Sequence, residues 1–344
     1  MTTIPLNGGA ARQPTIKEVA ALAGVSPMTV SRTLAGGKNV RPDVQDRVFE
    51  AVQSLGYHRN ENARSLRPGQ ASGLVGVAIT NLGNPYYGNF ALGVEEVASY
   101  YGRRIVLGNT GEDVGRERQL IADFIGRQVE GLIVVPSGGD DAHLQYEALQ
   151  HTPLVLASRT VPGVLADAVV LDDIGGAYRG TSALLDAGHT RVAYLGNVTS
   201  VFTGQRRFEG YQRALEERSI PIEPELVRRG QQDAETASAA MSALLDLVEP
   251  PTAVFSANNR NSIGALQAIA ARLRADPDAM RPSIVSFDDF ELAELMPVPV
   301  TVVDHDPREL GREAARLLFA RLLNAPDAPP NEVEMPTLLR VARP

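Results

Sequence analysis

From Gly73 onward, short apolar runs alternate with amphipathic helical stretches. That order is satisfied by parallel sheets carrying helices on both faces. The apolar runs lie at 74–79, 105–107, 131–135, 154–156, 169–171, 192–195, 253–256, 284–287 and 301–303, with helical stretches such as 92–101, 117–127 and 178–187 between them. Nine strands exceed one comfortable sheet, so the region divides into two doubly wound parallel-sheet lobes. In open sheets of this kind a ligand sits beyond the carboxyl ends of the strands. Polar groups cluster at those ends: Asn81, Asn84, Tyr86 and Tyr87 after the first run, Ser137 after the third, Ser158 and Arg159 after the fourth, Asn258 after 253–256, and Asp288 after 284–287. Singly, each reads as a turn or helix cap. Together they define a candidate effector site.

Composition closes off other chemistry. The 344 residues contain no cysteine, which removes disulfides, thiol catalysis and thiolate zinc sites, and the five histidines show no metal-ligand spacing. Neither G-x-S-x-G, a Walker loop nor H-E-x-x-H occurs, and no two glycines are spaced G-x-G, so the dinucleotide fingerprint is absent. No cofactor, no metal and no enzymatic role are expected. The first residues hold no apolar run of signal-peptide length, and no later run approaches the roughly 20 residues of a membrane span. A cytoplasmic protein is the resulting expectation.

The first 68 residues differ from the rest. They carry nine Lys/Arg against five Asp/Glu, a net of +4 in a chain whose total is -8. A basic head on an acidic body points to nucleic acid. Thr15 and Glu18 have the spacing of a capping box, Gly24 ends the helix they start, and Ser26-Pro27 begins another. A third helix starts at Arg41-Pro42-Asp43 and ends at Gly56. Two short helices joined by a tight turn make a helix-turn-helix, whose second helix presents Pro27, Met28, Thr29 and Arg32 to base edges. A small helical bundle with no DNA role fits the same pattern. Residues 60–67 are too few for a stable isolated helix. They suit a segment that folds on DNA, or a plain linker leading to Pro68-Gly69.

The runs TIKEVAALAGVSPMTVSRTLAG and VRPDVQDRVFEAVQSLGYHRNENARSLR resemble the headpiece and hinge of the LacI/GalR family of bacterial transcription regulators. The resemblance continues through NPYY, LDAGHTRVAYLG, R-x-x-G-Y at Arg207, SANN and SFDD. It implies a periplasmic-binding-protein-like body, with a helix at 309–323 returning to the first lobe. It also implies Leu66 as a wedge into the minor groove, and Arg207, Asn258 and Asp288 as effector contacts. An arginine, an amide and a carboxylate suit a polyol, and Tyr86 and Tyr87 offer a face to a sugar ring. A structural ion pair is the competing reading of Arg207. Three departures stand out: Arg59 replaces the usual proline before the hinge, Ser158 replaces an aspartate, and Asn259 replaces another. The last two remove negative charge, which favours tolerance of an anionic effector.

The expected protein is a small all-α helix-turn-helix head plus a two-lobed α/β body. Its divisions are residues 1–59 (with 1–13 disordered), a hinge and linker at 60–72, and an effector-binding and dimerisation region at 73–344. It is a homodimeric repressor on a near-palindromic double-stranded DNA operator, controlled by a small-molecule effector, a sugar or sugar derivative. The residues assigned to DNA are Thr15, Pro27, Met28, Thr29, Ser31 and Arg32 in the head, and Asn60, Ala63, Arg64 and Leu66 in the hinge. The alternatives are a solute-binding protein and a sugar-modifying α/β enzyme.

Overall fold

The computed structural model describes residues 14–34, 36, 39–57, 72–139, 141–198, 200–291, 293, 298–323 and 328–340. Two compact units divide the chain at Gln70–Ala71.

In the head, α1 (Ile16–Ala23), α2 (Pro27–Leu34) and α3 (Pro42–Leu55) enclose Val19, Ala20, Ala23, Val30, Val48 and Ala51. The capping box forms: the Thr15 backbone N–H donates to the Glu18 carboxylate at 2.6 Å, and the Thr15 hydroxyl accepts from Glu18 N–H at 3.4 Å. Gly24 adopts φ 66°, the left-handed conformation that closes α1 without a Cβ clash. The Ser26 hydroxyl accepts from Thr29 N–H at 3.1 Å and so caps α2.

Among the described residues the body holds two six-stranded sheets. The first has the order β11-β5-β4-β3-β1-β2, with β1 at Leu74–Ile79, β2 at Arg104–Asn109, β3 at Gly131–Val134, β4 at Leu154–Ala157, β5 at Asp167–Leu171 and β11 at Glu332–Met335. The second has the order β12-β10-β9-β8-β6-β7, with β6 at Val192–Gly196, β7 at Val227–Arg229, β8 at Ala253–Ser256, β9 at Ser283–Phe287, β10 at Val300–Asp304 and β12 at Leu338–Arg340. Among the described residues every pairing is parallel except β10 with β12. The inner strands are buried on both faces, as parallel strands under two helix layers must be.

Among the described residues, seven helices cover the sheets: α4 (Pro85–Tyr100), α5 (Val114–Gly126), α6 (Asp173–Asp186), α7 (Phe202–Glu216), α8 (Ala234–Leu245), α9 (Asn259–Ala275) and α10 (Pro307–Leu323). The chain changes sheet three times: after β5, after β10, and between β11 and β12. Helix α10 therefore returns to the first lobe, where it packs against α4. That contact is glycine-dependent. A Cβ on Gly93 would lie 1.9 Å from Arg308 O, and one on Gly311 would lie 2.1 Å from Phe90 O. The two backbones approach where nothing larger than hydrogen fits.

Candidate functional site

The head presents its second helix outward. Met28 is 65% exposed, Pro27 and Arg32 are exposed, and Thr29 and Ser31 are half-buried. Val30 and Thr33 turn inward, and the Thr33 hydroxyl donates to Thr29 O at 3.0 Å. Helical spacing thus separates a core stripe from a face bearing one cation and small polar groups. Thr15 is half-buried and engaged in the α1 cap. Asn60, Ala63, Arg64 and Leu66 lie outside the described residues.

In the body, a cavity of about 710 Å³ opens where the strand ends of the two sheets face each other. Tyr86, Tyr87, Ser137, Ser158 and Arg159 line it from the first lobe, and Arg207, Asn258 and Asp288 from the second. The structure brings all eight expected residues to one space. Both Ser158 (φ 62°) and Asp288 (φ 67°) are held in the left-handed region, as is Glu112 (φ 61°) on the same wall. Each such residue stores about 1–3 kcal/mol of strain, a pattern that gathers at binding sites.

The polar groups are extensively paired. Arg207 is buried, with Nε donating to Asp173 Oδ1 at 2.7 Å and Nη1 donating to Ala257 O at 2.6 Å and Asp288 Oδ2 at 3.3 Å. Its guanidinium stacks 3.6 Å from the centroid of Phe287. Burial pushes the Asp173 carboxyl up to about 6, against the downward pull of Arg207. Arg159 is gripped bidentately by Glu112 at 2.7 and 2.8 Å and donates to Pro136 O at 2.8 Å. Asn258 caps α9, accepting from Asn261 N–H at 2.8 Å, and its amide nitrogen donates to Asn197. The Tyr86 hydroxyl meets the Ser158 hydroxyl at 3.4 Å, and Tyr86 and Tyr87 pack edge to face at 5.0 Å. Burial raises both phenol pKa values, so both rings remain neutral.

These contacts set the charge balance of the cleft. The two aspartate-free positions are taken: Ser158 bonds Tyr86, and Asn259 forms a reciprocal amide pair with Asn84 at 3.1 and 2.9 Å. Arg159 and Arg207 are balanced by carboxylates, while Asp113 and Asp233 on the wall outnumber its further cation, Arg260. Glu112 and Asp173 were not singled out as ligand-site residues by the sequence, whereas Asn84 and Asn259 were noted at the strand ends without their pairing. Gly111-Glu112 after a strand end was the available signal for the first. The partner of a buried arginine needs the fold.

Residues 15–60 match the model for bacterial regulatory proteins of the lacI family, and residues 181–343 match the periplasmic binding protein-like domain. The HTH-type transcriptional regulator GalS of Salmonella typhimurium is 32% identical over 326 residues, covering 95% of each chain. The regulator CelR of Thermobifida fusca is 32% identical over 317 residues, covering 90% of this chain and 92% of its own. Among solved structures, a transcriptional regulator CelR–cellobiose complex superposes with TM-score 0.69 at 29% identity, covering 96% of this chain and 99% of that one. The lac repressor dimer bound to operator and the anti-inducer ONPF shares the fold, with TM-score 0.79 at 23% identity over 96% of this chain and 98% of that one. With a helix-turn-helix head, a two-sheet body and this level of identity along nearly its full length, the chain belongs to the lacI family of bacterial regulatory proteins, the LacI/GalR transcription regulators.

Proposed function

We propose that this regulator is a homodimeric repressor whose operator affinity is set by a neutral sugar bound between the lobes. The observation that carries the ligand class is the charge balance of the cleft. Arg159 and Arg207 are already bound to carboxylates, so the wall offers paired dipoles and two phenol rings, with acids outnumbering cations. Hydroxyls exchange favourably with such groups, whereas a phosphate would have to break a buried ion pair. Two solved relatives agree: the CelR complex holds cellobiose, and the lac repressor is a dimer bound to operator DNA.

In this reading Pro27, Met28, Thr29, Ser31 and Arg32 face the major groove, and Thr15 stands at the α1 N-terminus, suited to a phosphate. Residues 60–72 act as the hinge, with Asn60, Ala63 and Arg64 at the DNA and Leu66 inserted at the operator centre. Two heads read two half-sites, because one three-helix head makes few base contacts. The body has no catalytic task and uses no metal or cofactor. Protein and DNA meet in the cytoplasm.

The test is calorimetry of the full chain with galactose, glucose, ribose, cellobiose and glucose 6-phosphate. A neutral sugar is expected to bind, and Arg207→Met is expected to abolish it. Tightest binding of the phosphate ester would refute the neutral-ligand reading.

A further inference from the structure

A second cavity, about 850 Å³, opens between the lobes beside the crossover that follows β10. It shares a wall with the first: Asn84, Tyr86, Asn259, Arg260 and Asp288 line both. Asp288 stands in that wall with Oδ2 on Arg207 and Oδ1 3.8 Å from His305 Nδ1. The His305 side chain is 2% exposed, yet neither ring nitrogen has a hydrogen-bond partner, and Asp288 Oδ1 has none either. Buried polar atoms are nearly always satisfied. Three unsatisfied atoms on two side chains lining one cavity mark a place where a ligand group belongs.

Their chemistry defines that group. Burial holds the His305 imidazole below the usual histidine range, against the upward pull of Asp288. The neutral ring offers one donor and one acceptor, and Asp288 Oδ1 offers an acceptor. Adjacent hydroxyls, each both donor and acceptor, complement this set. The mouth repels anions: Asp289, Glu291, Asp304 and Asp306 line it and outnumber Arg260, with Asp289 and Asp304 held by Arg340. Pro85, Phe290 and Leu338 supply apolar surface for the C–H face of a ring.

We propose that this cavity is a second sugar-ring subsite, so that the effector is an extended neutral saccharide, a disaccharide or glycoside, with one ring on each side of Asp288. A linkage crossing the shared wall replaces the Asn84–Asn259 amide pair with bonds to its own oxygens. This rests on the neutral-sugar reading of the first cavity and deepens it.

The experiment is calorimetry of the full chain with glucose, galactose, cellobiose, lactose, maltose and glucose 6-phosphate. At least one disaccharide is expected to bind tenfold or more tighter than its constituent monosaccharides. His305→Phe keeps the volume and removes both nitrogens. It should weaken that disaccharide at least tenfold while changing monosaccharide affinity less than twofold. His305→Gln retains a donor and an acceptor and should stay within threefold of wild type for both, which controls for misfolding. Disaccharides binding no tighter than monosaccharides, or both variants losing both ligand classes alike, would overturn the subsite and leave the first cavity's reading intact. Absence of binding by every sugar would overturn the neutral-sugar reading itself, and the subsite with it.

Discussion

Replacing Arg207 with methionine tests whether the cleft is organised around a buried charge pair. Asp173 is 0% exposed, and its Oδ2 has no partner, so the 2.7 Å bond from Arg207 Nε to Oδ1 is its principal compensation. Removing one member of such a pair leaves an uncompensated buried charge and costs about 3–5 kcal/mol. The sign with pH follows from Asp173. Its folded carboxyl sits at about 6, above the ordinary aspartate value of 3.8, so the folded wild type binds more protons than the unfolded chain between those values. The associated stability is present below about pH 4 and lost as pH rises through 6. Without Arg207 only the weaker pull of Arg206 opposes the rise of that carboxyl. The loss then continues above pH 6, at up to about 1.4 kcal/mol per pH unit. Urea denaturation of wild type and Arg207→Met at pH 5.5 and pH 8 should show a penalty that is clearly larger at pH 8. Adding Asp173→Asn should flatten that dependence and recover part of the loss. A penalty below about 1 kcal/mol, or one equal at both pH values, would refute Arg207 as the compensating charge.

Three further outcomes are expected. Arg32→Ala should lose about 1–3 kcal/mol of discrimination between selected operator and random duplex, measured by competition anisotropy; equal loss on both would make Arg32 a phosphate contact. Gly311→Ala drives a methyl to 2.1 Å from Phe90 O and should destabilise the body by at least about 2 kcal/mol, read as a fall in melting temperature, since α4 and α10 must separate. Leu66→Ala should reduce operator bending in a fluorescence-transfer assay and leave random-sequence affinity nearly unchanged, because the latter rests on phosphate contacts. Unaltered bending would make residue 66 a linker position.

Strong local signals carried most of the fold. Thr15-x-x-Glu18, Ser26-Pro27 and the glycines at 24 and 56 mark the head's helix ends within a residue, because capping is local chemistry. Buried strands such as Val192–Gly196 announce themselves as apolar runs. Three strands, Val227–Arg229, Glu332–Met335 and Leu338–Arg340, did not. Each is a short sheet edge, partly solvated and carrying at least one charge, so tertiary pairing makes them strands and no periodicity does. The site divides similarly. Strand-end position placed Ser137, Ser158, Asn258 and Asp288 at one cavity. Partnerships between distant residues, Arg159 with Glu112 inside the first lobe, Arg207 with Asp173 inside the second and Asn84 with Asn259 across the two, depend on the tertiary fold, and the sequence has no local signature for them. His189 is another distant partnership: its ring bridges the Thr252 and Ser283 hydroxyls, both at 2.9 Å.

At the centre stands the coupling of a sugar in the cleft to the grip of the head on DNA. The direct measurement is fluorescence anisotropy of a labelled duplex, selected from a random pool by the full-length protein itself. It is run at two salt concentrations, with and without a saccharide already shown by calorimetry to bind. Affinity should depend on salt and change by at least about fivefold when that saccharide saturates the protein, the lower end of ordinary allosteric coupling. A saccharide that binds the wild type at full stoichiometry, and leaves affinity for the selected duplex unchanged at both salt concentrations, would contradict that coupling.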